Sequence, residues 1–101
     1  MSLLIRTVQK EKARIEYMLS IYLQQLTELP RGSITTKNIG TNTYYYLKYR
    51  DGKKVFTDYL GKAGERVQEV RGKLEKRHHI EAMISHLRTE KALAIKVLER
   101  L

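Results

Sequence analysis

An α+β fold, with a long helix at each end and a three-stranded antiparallel β-meander between them, follows from three features of the sequence. Apolar residues recur at 3-4 spacing towards both ends, the middle is rich in β-branched and aromatic residues, and glycine clusters cut that middle into strand-length runs. We read the 101 residues as a single domain: helix over 1–30, meander over 31–62 and a long helix over 63–101. The two helices are expected to pair in a coiled-coil-like antiparallel arrangement.

The first helix is predicted over Leu3–Leu29. Ile5, Val8, Ile15, Leu19, Tyr22, Leu26 and Leu29 hold its seam, and Lys12 stands where one more apolar residue would fall. Met18, Ile21 and Leu23 widen the stripe, which implies more than one neighbour for the C-terminal half. Pro30 ends the helix, because the residue before a proline is pushed out of helical conformation. Arg31-Gly32-Ser33 then breaks the chain direction.

The meander is predicted as Ser33–Ile39, Thr43–Arg50 and Lys53–Leu60, joined by turns at Gly40-Thr41-Asn42 and Asp51-Gly52. Asp-Gly suits a type I′ hairpin, which needs positive φ at both central residues. That turn sets a register. Arg50 then faces Lys53, Lys48 faces Val55, Tyr46 faces Thr57 and Tyr44 faces Tyr59; on the other side Tyr49 meets Lys54, Leu47 meets Phe56 and Tyr45 meets Asp58. Side chains alternate across a strand, so three tyrosines in a row cannot share a face. The Leu47/Phe56 side is the one to pack on a helix. The outward side presents Tyr44, Tyr46, Lys48, Arg50, Lys53 and Tyr59, with Lys37 joining from the first strand.

The last segment, Ala63–Leu101, is again helical. Val67, Val70 and Leu74 start a seam, and Ile80, Ile84, Leu87, Ala94, Leu98 and Leu101 continue it with Lys91 interrupting. The two stretches fall out of phase near Arg77-His78-His79. That break, or Gly72, marks a candidate bend. So long a helix suggests a rod, a coiled-coil partner or a homodimer formed through the helices.

Charge is the main clue to function. Twenty Lys and Arg against eleven Asp and Glu give +9 and a pI near 9.9. The middle third, residues 30–62, is net +5, against +1 for 1–29 and +3 for 63–101. Such a patch attracts phosphate backbones or acidic protein surfaces. There is no cysteine, which removes disulfides and thiolate chemistry and suits the reducing cytoplasm. No apolar run is long enough for a membrane span, and no signal peptide is evident.

Catalytic chemistry finds little footing. Gly61-Lys62-Ala63-Gly64-Glu65 lacks the phosphate-loop spacing and reads as a strand-to-helix junction. Ser2, Ser20, Ser33 and Ser85 lie in no nucleophile-elbow context, and Asp51 and Asp58 are the only aspartates. His79 and His86 share a helix face but stand about 10 Å apart along the axis, too far for one metal ion. We therefore expect no enzyme activity, no cofactor and no metal.

Binding has more support. Tyrosine rings offer faces on which bases stack, and neighbouring cations neutralise phosphates. Tyr44, Tyr46 and Tyr59 with Lys37, Lys48, Arg50, Lys53 and Lys54 match that pattern, Tyr44 and Tyr46 being cast as stacking surfaces. A two-stranded ribbon also fits a major groove. Arg71, Lys73, Lys76 and Arg77 are candidates to extend the contact. Against this, cross-strand tyrosines stabilise small sheets without binding anything, and Glu69, Glu75 and Glu81 among the helix cations fit a solvated face. The expectation is a non-enzymatic nucleic-acid-binding module, DNA or RNA. The alternative is a helical adaptor or phage-encoded inhibitor that meets an acidic protein surface.

The segments LPRGSI (Leu29–Ile34), YYYLKYRDGKKV (Tyr44–Val55) and YLGK (Tyr59–Lys62) resemble a family of small, functionally uncharacterised bacterial and phage proteins. That resemblance runs over about residues 29–90 and implies a β-hairpin flanked by helices. The same hairpin is similar to the N-terminal region of some transposases. This second resemblance implies mobile-element biology and DNA, and carries over no catalytic residue.

Overall fold

A computed structural model describes residues 2–100. The order is α1 (Leu3–Thr27), β1 (Ser33–Ile39), β2 (Asn42–Asp51), β3 (Lys54–Gly61) and α2 (Glu65–Glu99). The fold is the α+β arrangement expected, two helices flanking a three-stranded antiparallel sheet in the order β1-β2-β3. The chain divides into two compact units, Met1–Glu28 with His79–Leu101, and Leu29–His78.

The first unit is a pair of packed helices. Ser2 caps α1 by accepting the Ile5 N–H at 3.1 Å. The seam holds: Ile15 and Leu19 are buried, and Ile5, Val8, Lys12, Tyr22 and Leu26 are half-buried. On α2 the facing core is Ile80, Ile84 and Leu87. Leu26 shares a surface hollow with Ile84 and Ser85, and Leu19 shares one with Ala92 and Ile95. Rising numbers on α1 thus meet falling numbers on α2, so the helices run antiparallel. Ile21 and Leu23 depart from expectation. They are 39% and 42% exposed, because a single partner helix covers only one stripe of α1. The Leu101 seam position lies outside the described residues.

The second unit is the sheet laid on the first half of α2. Leu47 and Leu60 from the sheet and Val67 and Leu74 from α2 form its buried cluster, with Ile34, Tyr45, Tyr49 and Val70 packed against it. α2 runs unbroken through Gly72 and Arg77-His78-His79.

The β2–β3 register differs from the sequence expectation. The loop is Gly52-Lys53, with Asp51 paired to Lys54, Arg50 to Val55, Tyr49 to Phe56, Lys48 to Thr57, Leu47 to Asp58 and Tyr46 to Tyr59. The cause is conformational. Gly52 alone takes positive φ, +62°, and no non-glycine residue among those described does so, whereas a type I′ turn at Asp51-Gly52 needs it at both positions. A glycine with positive φ in first place is the type II′ pattern. The first hairpin uses the same device, Gly40 at +62° followed by Thr41, with Asn42 already paired to Ile39. The pairing moves by two residues, an even slip, so each side chain keeps its face. A bulge at Tyr45/Tyr46 then brings Tyr45 opposite Gly61.

Candidate nucleic-acid interface

The two faces of the sheet differ in chemistry. One carries Ile34, Tyr45, Leu47, Tyr49, Asp51, Lys54, Phe56, Asp58 and Leu60, by alternation from the register. Its Leu47 and Leu60 lie against α2. The opposite face carries Thr35, Lys37, Tyr44, Tyr46, Lys48, Arg50, Val55, Thr57 and Tyr59. Both aspartates of the sheet fall on the helix-packed face, so the tyrosine face holds cations and no acid.

The three tyrosines form one cluster. Tyr59 sits between Tyr46, with ring centroids 5.3 Å apart and planes at 52°, and Tyr44, at 6.3 Å and 44°. Tilted contacts of this kind are favoured by the ring quadrupoles. Lys62 Nζ lies 5.9 Å from the Tyr44 ring centre, a cation–π placement. Tyr44 and Tyr46 are half-buried, while Tyr59 is 52% exposed. Tyr59 therefore presents more of its ring to solvent than Tyr44 or Tyr46, the two expected to offer stacking surfaces, and both neighbours brace it. Beside the rings, Thr35, Lys37, Tyr46, Lys48 and Thr57 line a shallow hollow. Lys37 stands opposite Tyr44 and is exposed, as are Lys48 and Arg50.

Other expected contacts lie elsewhere. Lys53 is in the loop, and Lys54 points to the opposite face, opposite Asp51. Arg71, Lys73, Lys76 and Arg77 belong to the helix that packs beneath the sheet, so the sheet separates them from the tyrosine cluster. Lys73 is paired with Glu69 at 3.0 Å. Arg77 is half-buried and donates to the Leu29 carbonyl at 3.3 Å. Phe56, expected in the core, is 39% exposed and stacks on Tyr49 at 5.4 Å and 17°; the β3 core residue is Leu60. Sequence reasoning missed Lys62, although its place just after the strand-ending Gly61 signalled it. It also missed Arg31, which pairs with Asp51 at 3.3 Å and lies 5.9 Å from the Tyr49 ring centre. His78, His79 and His86 are exposed, and the described residues contain no cluster able to hold a metal ion.

Residues 4–69 match a domain of unknown function, DUF6788. The chain belongs to the DUF6788 family. The DUF6788 match spans almost all of α1, the whole sheet and the first turn of α2. It therefore takes in the tyrosine cluster and every cation beside it, and stops short of Arg71. Comparison with curated proteins and with solved structures finds no match. No helix among the described residues is long and apolar enough to cross a membrane.

Proposed function

We propose that this DUF6788 protein is a non-enzymatic nucleic-acid-binding module that works through the tyrosine face of its sheet. One observation carries the reading: Tyr44, Tyr46, Tyr59, Lys37, Lys48, Arg50 and Lys62 gather on or beside a face without a carboxylate. Unopposed cations neutralise phosphates and release counterions, the main source of affinity for nucleic acid. Tyr59 adds an exposed ring and a hydroxyl that donates to a phosphate oxygen. The resemblance of the hairpin to transposase N-terminal regions agrees with DNA as the ligand, in a bacterial or phage setting, and the lack of cysteine agrees with the cytoplasm. Fluorescence anisotropy with labelled DNA and RNA at two salt concentrations tests this. Binding that weakens steeply with salt is expected; no binding at low salt ends the proposal.

A second reading rests on Ile21, Leu23, Leu93 and Val97, which are 39–52% exposed on the helix pair. These residues suit a helical adaptor or a homodimer. A stoichiometric protein partner that survives nuclease treatment would favour the adaptor, and light scattering with size exclusion reads the dimer.

A further inference from the structure

The nucleic-acid reading leaves the ligand type open, and the end of the β2–β3 hairpin narrows it. β1 pairs with β2 only as far as Lys48, at Ser33. The pairs Tyr49–Phe56, Arg50–Val55 and Asp51–Lys54 lie beyond it and close through Gly52-Lys53. The sheet thus ends in a two-stranded ribbon. Tyr49 at its base also packs against the α2 cluster, so the two outer pairs and the loop stand beyond that contact, the pairs about 7 Å long at the usual strand rise. A B-DNA major groove is about 12 Å wide and about 8.5 Å deep, and it admits such a ribbon.

The ribbon's charges are arranged for this. Arg50 projects from one face, Lys54 from the other and Lys53 from the loop, all exposed and, among the described residues, without an ion-pair partner. The single acid there, Asp51, is held by Arg31 at 3.3 Å. A free hairpin of this length would be floppy. Here Tyr49 stacks on Phe56 and Arg31 lies over Tyr49, bracing the ribbon from its base. The glycine-led loop keeps the tip two residues wide. The tyrosine cluster, by contrast, offers poor stacking surfaces to a single strand. Its rings tilt against one another, and Lys62 lies over Tyr44.

We infer that the ligand is duplex DNA and that the Tyr49–Phe56 ribbon enters its major groove, with Arg50, Lys53 and Lys54 contacting base edges and flanking phosphates. This rests on the nucleic-acid reading above. An A-form RNA duplex has a major groove too narrow for the ribbon, so RNA duplexes are poor ligands.

The test uses the full chain, with one sequence prepared as single-stranded DNA, duplex DNA and duplex RNA. Wild-type protein, R50Q/K53Q/K54Q and a charge-matched control, K10Q/K96Q/R100Q, are titrated at about 50 and about 200 mM salt. Wild type is expected to bind duplex DNA at least about tenfold more tightly than the other two. Each lost phosphate contact lowers the logarithmic salt slope by about 0.9. The tip variant should therefore lose up to about 40-fold less affinity than wild type across that fourfold salt change, from a weaker start. Equal effects of tip and control variants, or equal binding of all three nucleic acids, overturn the ribbon assignment and leave the nucleic-acid reading standing. No binding to any of them by wild type overturns both.

Discussion

Gly32 is where the fold tolerates a side chain least. Its φ is +110°, and a Cβ built there would lie 2.2 Å from the Lys48 carbonyl oxygen and 2.8 Å from the Tyr49 Cβ. Those atoms belong to β2, the central strand, and cannot rotate away. Backbone strain for a non-glycine residue in this region costs about 1–3 kcal/mol. Overpacking against fixed atoms adds about 1–3 kcal/mol. Gly32→Ala should therefore cost about 4 kcal/mol, a large share of the roughly 5–15 kcal/mol that holds a domain together. Gly40 is the control. It also has positive φ, +62°, but nothing lies within 4 Å of its Cβ position. Gly40→Ala should cost only the left-handed penalty, about 1–2 kcal/mol. Urea unfolding followed by circular dichroism measures both. Equal losses in the two variants would refute the claim that close approach to β2 sets the cost at Gly32.

Ile80, 2% exposed, should lose about 3 kcal/mol on truncation to Ala, whereas Leu93, 52% exposed, should lose under about 1 kcal/mol; thermal unfolding compares them. Tyr59→Ala should weaken nucleic-acid binding about fivefold or more while far-ultraviolet circular dichroism stays unchanged, since the ring is half exposed and its hydroxyl is free to meet a phosphate. Glu11 and Glu16 have pKa values below the usual glutamate range, chiefly through hydrogen bonds from Arg14 and Lys12 respectively. A depressed folded-state pKa stabilises above the unfolded value and is lost as pH falls through the folded one. E11Q/E16Q should accordingly flatten the acid limb of the stability profile as pH falls below the usual glutamate range, read by chemical denaturation at each pH.

Much of the molecule was legible because its periodicities are strong. The seam Ile15, Leu19, Tyr22, Leu26 turns inward as its spacing dictates, and even Lys12 is half-buried where the pattern placed it. β1 begins at Ser33 and ends at Ile39 as read. The hairpin register was not legible, because Asp-Gly and Gly-Lys are both acceptable two-residue loops. The structure takes the Gly-Lys loop, with positive φ at Gly52 alone, and Asp51 stays in the strand, where it pairs with Arg31. The even slip is why the face assignment survives the wrong register. Phe56 misled for a related reason. Its face is the core face, but at that height it meets Tyr49 at the ribbon's base rather than α2, whose contact is taken by Leu60 two rungs on.

The basic run Arg71–His79 takes on a different meaning once α2 is seen to serve two cores. Val67, Val70 and Leu74 keep one seam, and the next position in that seam is Arg77. The second core begins at Ile80, six residues after Leu74 rather than seven, so the buried stripe changes phase there. A seam residue at such a changeover has apolar neighbours on one side only. Arginine suits it, because its stem packs while its guanidinium reaches polar groups. Arg77 does this by donating to the carbonyl of Leu29, just before Pro30 in the segment that links α1 to the sheet. The cation that looked like part of a phosphate-binding run is thus better explained as an anchor for the chain turn between helix and sheet. Arg77 drops out of the cations proposed to meet a ligand, while Arg71 and Lys76 of the same run stay exposed.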